Sequence, residues 1–350
     1  MSLETSFDRV SLPLEFPFGI SRGTTEETEN VIVRIEDDEG REGVGAAAPS
    51  SHFGETVDTV EAVLPSLLAV VEDVGDPHQL ARIERRLLET VRGNPAARAA
   101  VSIALHDLVG KRLDLPLYRY WGLDPAETLE SSYTIGIDDL ETMAEKTELA
   151  LERGHTTLKV KLGTDPERDE EVVRTIRSIA PDVRLYVDAN EGWTPREAVS
   201  TIERLAAFDL EFVEQPVPAE NPEGMRYVYE RSPVPIAADE SCLTSADVPD
   251  LANRCDVVNL KLMKCGGLLE AKRIVHAARA HGLEVMCGCM TSSNAAIAPA
   301  CHLAPLLDYI DVDGALLLEA GGDPFDGVAM PGGDIDLEGL ERPGTGAVPT

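Results

Sequence analysis

An α/β fold, a modified TIM (β/α) barrel preceded by a small α+β unit, is predicted by three features of this 350-residue chain. From about Ser131, short β-type runs alternate with amphipathic stretches, the texture of parallel strands joined by crossover helices. Four of those runs end in an acid or an amine, as barrel strands do where their C-terminal ends gather on one face. The length and the 43% hydrophobic content supply a full core.

In chain order, the α+β unit begins with a strand to about Leu14, followed by a hairpin from Asn30 to Ala48 that turns at Asp37-Asp38-Glu39-Gly40. Helices follow. The best marked opens at Asn94-Pro95 and carries Ala96, Ala100, Ile103, Ala104 and Leu108 at helical spacing. This unit runs to about Gly122. The expected barrel strands are Ser132 to Gly136, Thr157 to Leu162, Val183 to Asp188, Glu211 to Glu214, Ile236 to Asp239, Val257 to Leu260, Glu284 to Gly288 and Tyr309 to Asp313. No close repeat and no low-complexity linker divides the chain.

Charge limits the partners. With 63 acidic against 31 basic residues the formal charge is -32, so nucleic acid and anionic membrane surfaces would repel the protein. Acid excess with scarce lysine suits a salt-filled cytosol, where screening removes most of the self-repulsion, and points to a halophilic source. Six cysteines, all in the last third and without CxxC pairs, read as reduced, packed thiols. No basic leader or bilayer-length apolar run is evident, so the protein is expected to be cytoplasmic; a homo-oligomer acting on a small-molecule substrate is also expected.

The run Leu158-Lys159-Val160-Lys161-Leu162-Gly163 puts two lysines on one face of an apolar strand, in a chain with 24 arginines and only 7 lysines. An amine can lose its proton near neutral pH and a guanidinium cannot, so Lys159 and Lys161 are candidates for proton transfer. Side by side, each is expected to lower the other's pKa. A solvated edge strand is the plainer alternative. Asp188, Glu214 and Asp239 stand 26 and 25 residues apart, one strand-helix unit each, and each ends an expected strand. Three converging carboxylates with nothing between them would repel, and a hard divalent cation relieves this while keeping positions open for a substrate. Mg²⁺ is expected, with Mn²⁺ as the substitute.

These residues resemble the enolase superfamily, and within it the muconate-lactonizing branch. Lys159-Val160-Lys161 stands where that branch has Lys-x-Lys, Asp188, Glu214 and Asp239 match its metal ligands, and Lys261 matches the lysine of its sixth barrel strand. The resemblance implies that residues 1-122 cap the mouth of a barrel of residues 123-318, with residues 319-350 returning to the cap. It also implies a reaction in which a proton α to a carboxylate is removed to give an enediolate, with Lys161 and Lys261 on opposite faces of one carbon and Lys159 as an electrostatic neighbour. Mg²⁺ is worth several kcal/mol to such chemistry. Two bases give 1,1-proton transfer, which is epimerisation. Where the mandelate-racemase branch needs a histidine, this chain reads Met286-Cys287-Gly288-Cys289. Lys264 is expected to be a structural cation.

Tyr309-Ile310-Asp311-Val312-Asp313-Gly314 is similar to the dipeptide epimerases, in which Asp-x-Asp holds the free ammonium of an aminoacyl group; Ser132 to Gly136 and Asn259 to Gly267 look alike too. The resemblance implies that Asp311 and Asp313 bind a dipeptide, with Thr134, Phe53, Cys289 and Thr291 lining the site and Asn190 behind the metal ligands. An acidic loop in an acidic protein is the alternative for Asp311 and Asp313. Phe18 to Thr24 falls in the family's specificity region, where Arg22 either pairs with an acidic substrate side chain or binds a protein carboxylate on the cap. Phe53, Gly54 and Glu55 are expected at the entrance, and His106 in the core. Competing readings are an o-succinylbenzoate synthase or muconate-type cycloisomerase, an N-acylamino-acid racemase, and a non-catalytic ligand-binding barrel.

Overall fold

The computed structural model describes residues 2–350. Its N-terminal sheet is an antiparallel meander of β1 (Leu3–Ile20), β2 (Gly23–Asp37) and β3 (Glu42–Ala47), covered by α1 (Val57–Val74) and α3 (Pro95–Leu113), with α2 (Leu80–Thr90) packed on those two helices. After α4 (Leu117–Tyr120) the chain enters an eight-stranded parallel sheet: β4 (Tyr133–Ile135), β5 (Thr157–Lys161), β6 (Arg184–Asp188), β7 (Val213–Glu214), β8 (Ile236–Ala238), β9 (Val257–Lys261), β10 (Glu284–Gly288) and β11 (Tyr309–Asp311). Neighbours in sequence are neighbours in the sheet. The Ser132 amide donates to the Ile310 carbonyl at 3.1 Å, which brings the first strand to the last and closes the ring.

The crossover helices are α5 (Leu140–Glu152), α6 (Pro166–Ile179), α7 (Pro195–Leu205), α8 (Pro222–Tyr229), α9 (Val248–Leu251), α10 (Leu262–Cys265), α11 (Leu268–Ala280) and α12 (Asn294–Cys301). Three of them start in the same way. Asp165-Pro166, Thr194-Pro195 and Asn221-Pro222 each place a side-chain acceptor on the first free amides and a proline where the missing N–H costs nothing.

Alternation along the strands separates two environments. One set (Leu158, Val160, Leu185, Val187, Val258, Leu260, Val285) packs in the main core beneath the helices. The other points inward. Tyr186, Phe212, Ala237, Val257 and Met286 form a separate cluster, with Tyr309 against it and the Tyr186 and Phe212 rings stacked at 4.4 Å. Toward the strand ends the inward positions turn polar: Lys161, Asp188, Glu214, Lys261 and Asp311. A dry floor therefore lies under a charged layer.

β1 continues to Ile20, past the expected end at Leu14, and residues Phe18 to Thr24 form the tip of a hairpin instead of an open loop. Pro13, Pro17 and Gly19 hide the strand in the sequence. Its register against β2 breaks between Pro13 and Phe18, where the chain pairs with the tail: Glu15 donates to Leu317, and Glu319 to Pro13. Past this break the tip crosses onto the barrel, where the Ile137 amide donates to the Gly19 carbonyl at 2.8 Å.

The tail is tied to the cap by a buried acid. Asp107 on α3 accepts from the Val44 amide (2.9 Å), the Thr345 amide (2.8 Å) and the Thr345 hydroxyl (2.9 Å), and pairs with Lys111 at 2.7 Å. Gly344 approaches so closely that a Cβ there would fall 2.2 Å from Asp107 Oδ1, and its φ of +74° also favours glycine. His106, next on the same helix, is buried and bonds the Ser102 carbonyl. Asp107→Ala would orphan two buried amides, and a loss of about 3 kcal/mol is expected. The shift of the urea midpoint measures it; a change under about 0.5 kcal/mol, ordinary for a surface site, would remove this role.

Candidate active site

The hairpin tip, the turn Ser51–Phe53 and the barrel mouth enclose a cavity of about 600 Å³. Arg22, Phe53, Thr134, Asn190, Cys289, Thr291, Asp311 and Asp313 line it, together with Lys159, Lys161 and Lys261. Asp188, Glu214 and Asp239 are fully buried in the barrel mouth, each offering an oxygen within 4.8 Å of the others. Every residue singled out from the sequence as catalytic, metal-holding or substrate-binding thus lies in or beside one cavity, whereas of the entrance residues Phe53, Gly54 and Glu55 only Phe53 lines it. Glu55 does not line it. Buried behind the turn, Glu55 accepts from the Ala96 and Ala97 amides at the start of α3, so its carboxylate anchors the loop instead of facing the entrance.

The ring order fixes which groups face one another. Lys161 ends β5 and Lys261 ends β9, four strands apart in a ring of eight, hence on opposite walls. Glu214 on β7 and Asp311 on β11 are likewise four apart and occupy the two remaining quarters. The carboxylate trio at the ends of β6 to β8 therefore faces Asp311 and Asp313, at and just past the end of β11, across the mouth, with one lysine on either side.

Each carboxylate has a lysine partner. Lys161 donates to Asp188 at 2.6 Å and Lys261 to Asp239 at 2.6 Å, while Lys159 stands 2.8 Å from Glu214 and 3.4 Å from Asp188. Burial opposes ionisation of Asp188 and Asp239, yet the adjacent amines outweigh it and hold both carboxyls below the usual range. Glu214 differs. Burial and the neighbouring Asp188 push it up to about 8, and its Oε2 accepts no hydrogen bond among the described residues although Lys159 is near. The trio converges with oxygen donors only and leaves Glu214 Oε2 without a hydrogen bond, so the residues fit Mg²⁺ or Mn²⁺ better than a soft metal.

Lys159 corrects one expectation. Burial alone would lower its pKa, but Asp311, Glu214 and Asp188 surround it and hold it well above the ordinary lysine value. Lys261 is raised too, because Asp239 outweighs burial. Mutual repulsion of Lys159 and Lys161 is a small effect beside ion pairs at 2.6 to 3.4 Å. Asp311 at the end of β11 and Asp313 just beyond it are also unequal. Asp311 is occupied by Lys159 (2.8 Å), Ser132 (2.6 Å) and Thr134 (3.3 Å), whereas Asp313 receives the Thr134 amide at 2.6 Å and is pushed up to about 7 by burial and by Asp311.

Arg22 is paired within the protein, and its partners are on the barrel, not the cap: the Asn190 carbonyl (3.1 Å), Glu191 (3.1 Å) and Glu240 (2.9 Å). Asn190 donates its amide to Asp188 Oδ1 at 2.8 Å. Asn190, Glu191 and Gln215 all have positive φ immediately after metal-ligand positions, so the chain leaves the barrel there in a conformation that non-glycine residues rarely adopt.

Further residues support the site, and of these only Lys264 had an assigned role in the sequence, that of a structural cation. Asn259 donates to Glu214 Oε1 at 2.8 Å and accepts the Gly288 amide at 2.8 Å; a Cβ at Gly288 would lie 2.8 Å from Asn259 and 2.9 Å from Lys261. Lys264 donates to four oxygens, two of them on Asp239. Gln215 accepts the Asp239 and Ser241 amides. The available signal was the inward register of Asn259, two residues before Lys261.

Two family models match the chain: the mandelate racemase / muconate lactonizing enzyme N-terminal domain over residues 3–122, and the enolase C-terminal domain-like unit over residues 142–347. Among curated proteins, the L-Ala-D/L-Glu epimerase of Bacteroides thetaiotaomicron is 39% identical, covering 99% of this chain and 88% of the relative. The L-Lys-D/L-Arg epimerase of Methylococcus capsulatus is 39% identical over 96% of each chain. The solved dipeptide epimerase of Enterococcus faecalis, complexed with Mg and L-Leu-L-Tyr, superposes with a TM-score of 0.90 at 34% identity, covering 99% of both chains.

Because Asn259 donates the hydrogen bond that orients Glu214 Oε1, Asn259→Ala is expected to weaken Mn²⁺ binding roughly 10- to 100-fold. Electron paramagnetic resonance titration of free Mn²⁺ measures this without any turnover. Unchanged affinity in a folded variant would exclude the orienting role.

Proposed function

The chain belongs to the mandelate racemase/muconate lactonizing enzyme family of the enolase superfamily, and we propose that within it the protein is a dipeptide epimerase that inverts the α-carbon of the C-terminal residue. One observation carries the reading: the carboxylate trio and the Asp311/Asp313 pair face each other across the ring, with Lys161 and Lys261 on the walls between. A dipeptide has matching ends, a carboxylate for one side and an ammonium for the other. Substrates of the related lyases and of N-acylamino-acid racemases lack that ammonium, so the aspartates argue against them.

Asp188, Glu214 and Asp239 would hold Mg²⁺, which when bound supplies a Lewis-acidic counter-charge for the substrate carboxylate and competes with Lys161 and Lys261 for their partners. Lys161 takes the α-proton from one face, and Lys261 delivers a proton to the same carbon from the opposite face. The electron pair left on the substrate is regained as the new C–H bond, so nothing is oxidised or reduced. Lys159 stays protonated among its three carboxylates and contributes fixed positive charge beside the developing anion. Asp313, with fewer protein partners than Asp311, is the freer acceptor for the ammonium, and Thr134 positions both. Phe53, Cys289 and Thr291 form the remaining walls. No helix among the described residues is long and apolar enough to cross a membrane. The acid excess supports a salt-rich cytosol as the setting.

Incubation of each L,L and L,D diastereomer in deuterated buffer tests the two-base assignment. Lys161→Ala and Lys261→Ala should each lose epimerisation by about 10²- to 10⁴-fold, the usual worth of a positioned acid or base. Each variant should keep α-deuterium exchange with one diastereomer only, and opposite ones. Exchange of both diastereomers at the original rate in either variant would refute the assignment.

A further inference from the structure

The wall around Arg22 is built for a cation. Glu191 and Glu240 face this single guanidinium, and His52 Nε2 adds a contact to Glu191 at 3.1 Å. Two acceptor atoms in the same wall, Glu240 Oε2 and Asn190 Oδ1, are buried without a hydrogen-bond partner among the described residues, although both residues line the cavity. A buried acceptor left unpaired costs about 1 to 3 kcal/mol, so a ligand that brings a donor is favoured there. An anionic ligand group would instead meet two carboxylates and a cation whose hydrogen bonds are already made.

Position identifies the ligand group. Asn190 and Glu191 follow Asp188 on β6, and Glu240 follows Asp239 on β8, so this wall adjoins the carboxylate trio and lies across the mouth from Asp311 and Asp313. In a dipeptide held as described above, the residue beside it is the C-terminal one. Resting on that reading of the site, we propose that the enzyme selects a basic C-terminal side chain, an alkylammonium or guanidinium docked on Glu240 and Asn190 within the Arg22–Glu191 clamp, and discriminates against an acidic one.

The test compares L-Ala-L-Lys, L-Ala-L-Arg, L-Ala-L-Leu and L-Ala-L-Glu by α-deuterium incorporation in the full chain with Mg²⁺. kcat/KM for the basic dipeptides should exceed that for L-Ala-L-Glu by about 100-fold, with L-Ala-L-Leu between them. Two variants should move the basic-to-acidic ratio in opposite directions: Glu191→Gln should lower it about tenfold and Arg22→Gln should raise it. A general loss of activity cancels in the ratio. Equal or better turnover of L-Ala-L-Glu, or two variants that shift the ratio the same way, would overturn the selectivity while leaving the epimerase reading intact. Exchange with none of the dipeptides would overturn both.

Discussion

Three carboxylates buried within a few ångströms of one another are the constraint to which the rest of this structure responds. In a low-dielectric interior like charges at that separation repel by several kcal/mol, and the desolvation of each adds to the cost. The chain meets the cost with lysines on the adjacent strands, amides and side chains aimed at individual oxygens, and a hydrophobic floor of Tyr186, Phe212, Val257 and Met286 that keeps the strands in register below. Lys161 and Lys261 are placed by the same requirement, since each pairs directly with a carboxylate. The groups proposed to transfer protons are thus also the ion-pair partners.

The cap matters because a barrel mouth alone is open. The hairpin tip is carried over the mouth by a strand that changes partner between Pro13 and Phe18, and it is clamped there by Arg22 on Glu191 and Glu240. The second loop is held from behind by Glu55 on the start of α3. The Asp107 junction ties that helix to β3 and to the tail, so the surfaces that enclose a substrate share one rigid support.

Much of this was legible in the sequence because it depends on local pattern. The eight barrel strands lie where β-type runs end in turn residues, and the inward positions follow from the pleat once Lys159, Lys161 and the acids are placed. What depends on which side chains meet across the ring was not legible. Asp37-Asp38-Glu39-Gly40 announces its turn, but β1 past Leu14 is disguised by prolines and pairs with a tail 300 residues away. The raised pKa of Lys159 needs Asp311 and Glu214, both far along the chain, whereas adjacency to Lys161 suggested the opposite sign. The partners of Arg22 and the orienting bond from Asn259 to Glu214 are likewise long-range facts.

Thermal unfolding of chelator-treated protein, titrated with Mg²⁺ at fixed ionic strength, most directly tests whether the buried trio requires a dication. The midpoint should rise saturably, with a stabilisation of about 2.7 kcal/mol once Mg²⁺ reaches a hundred times its dissociation constant, and the rise should vanish in Glu214→Gln. No shift, or the same shift in that variant, would contradict it.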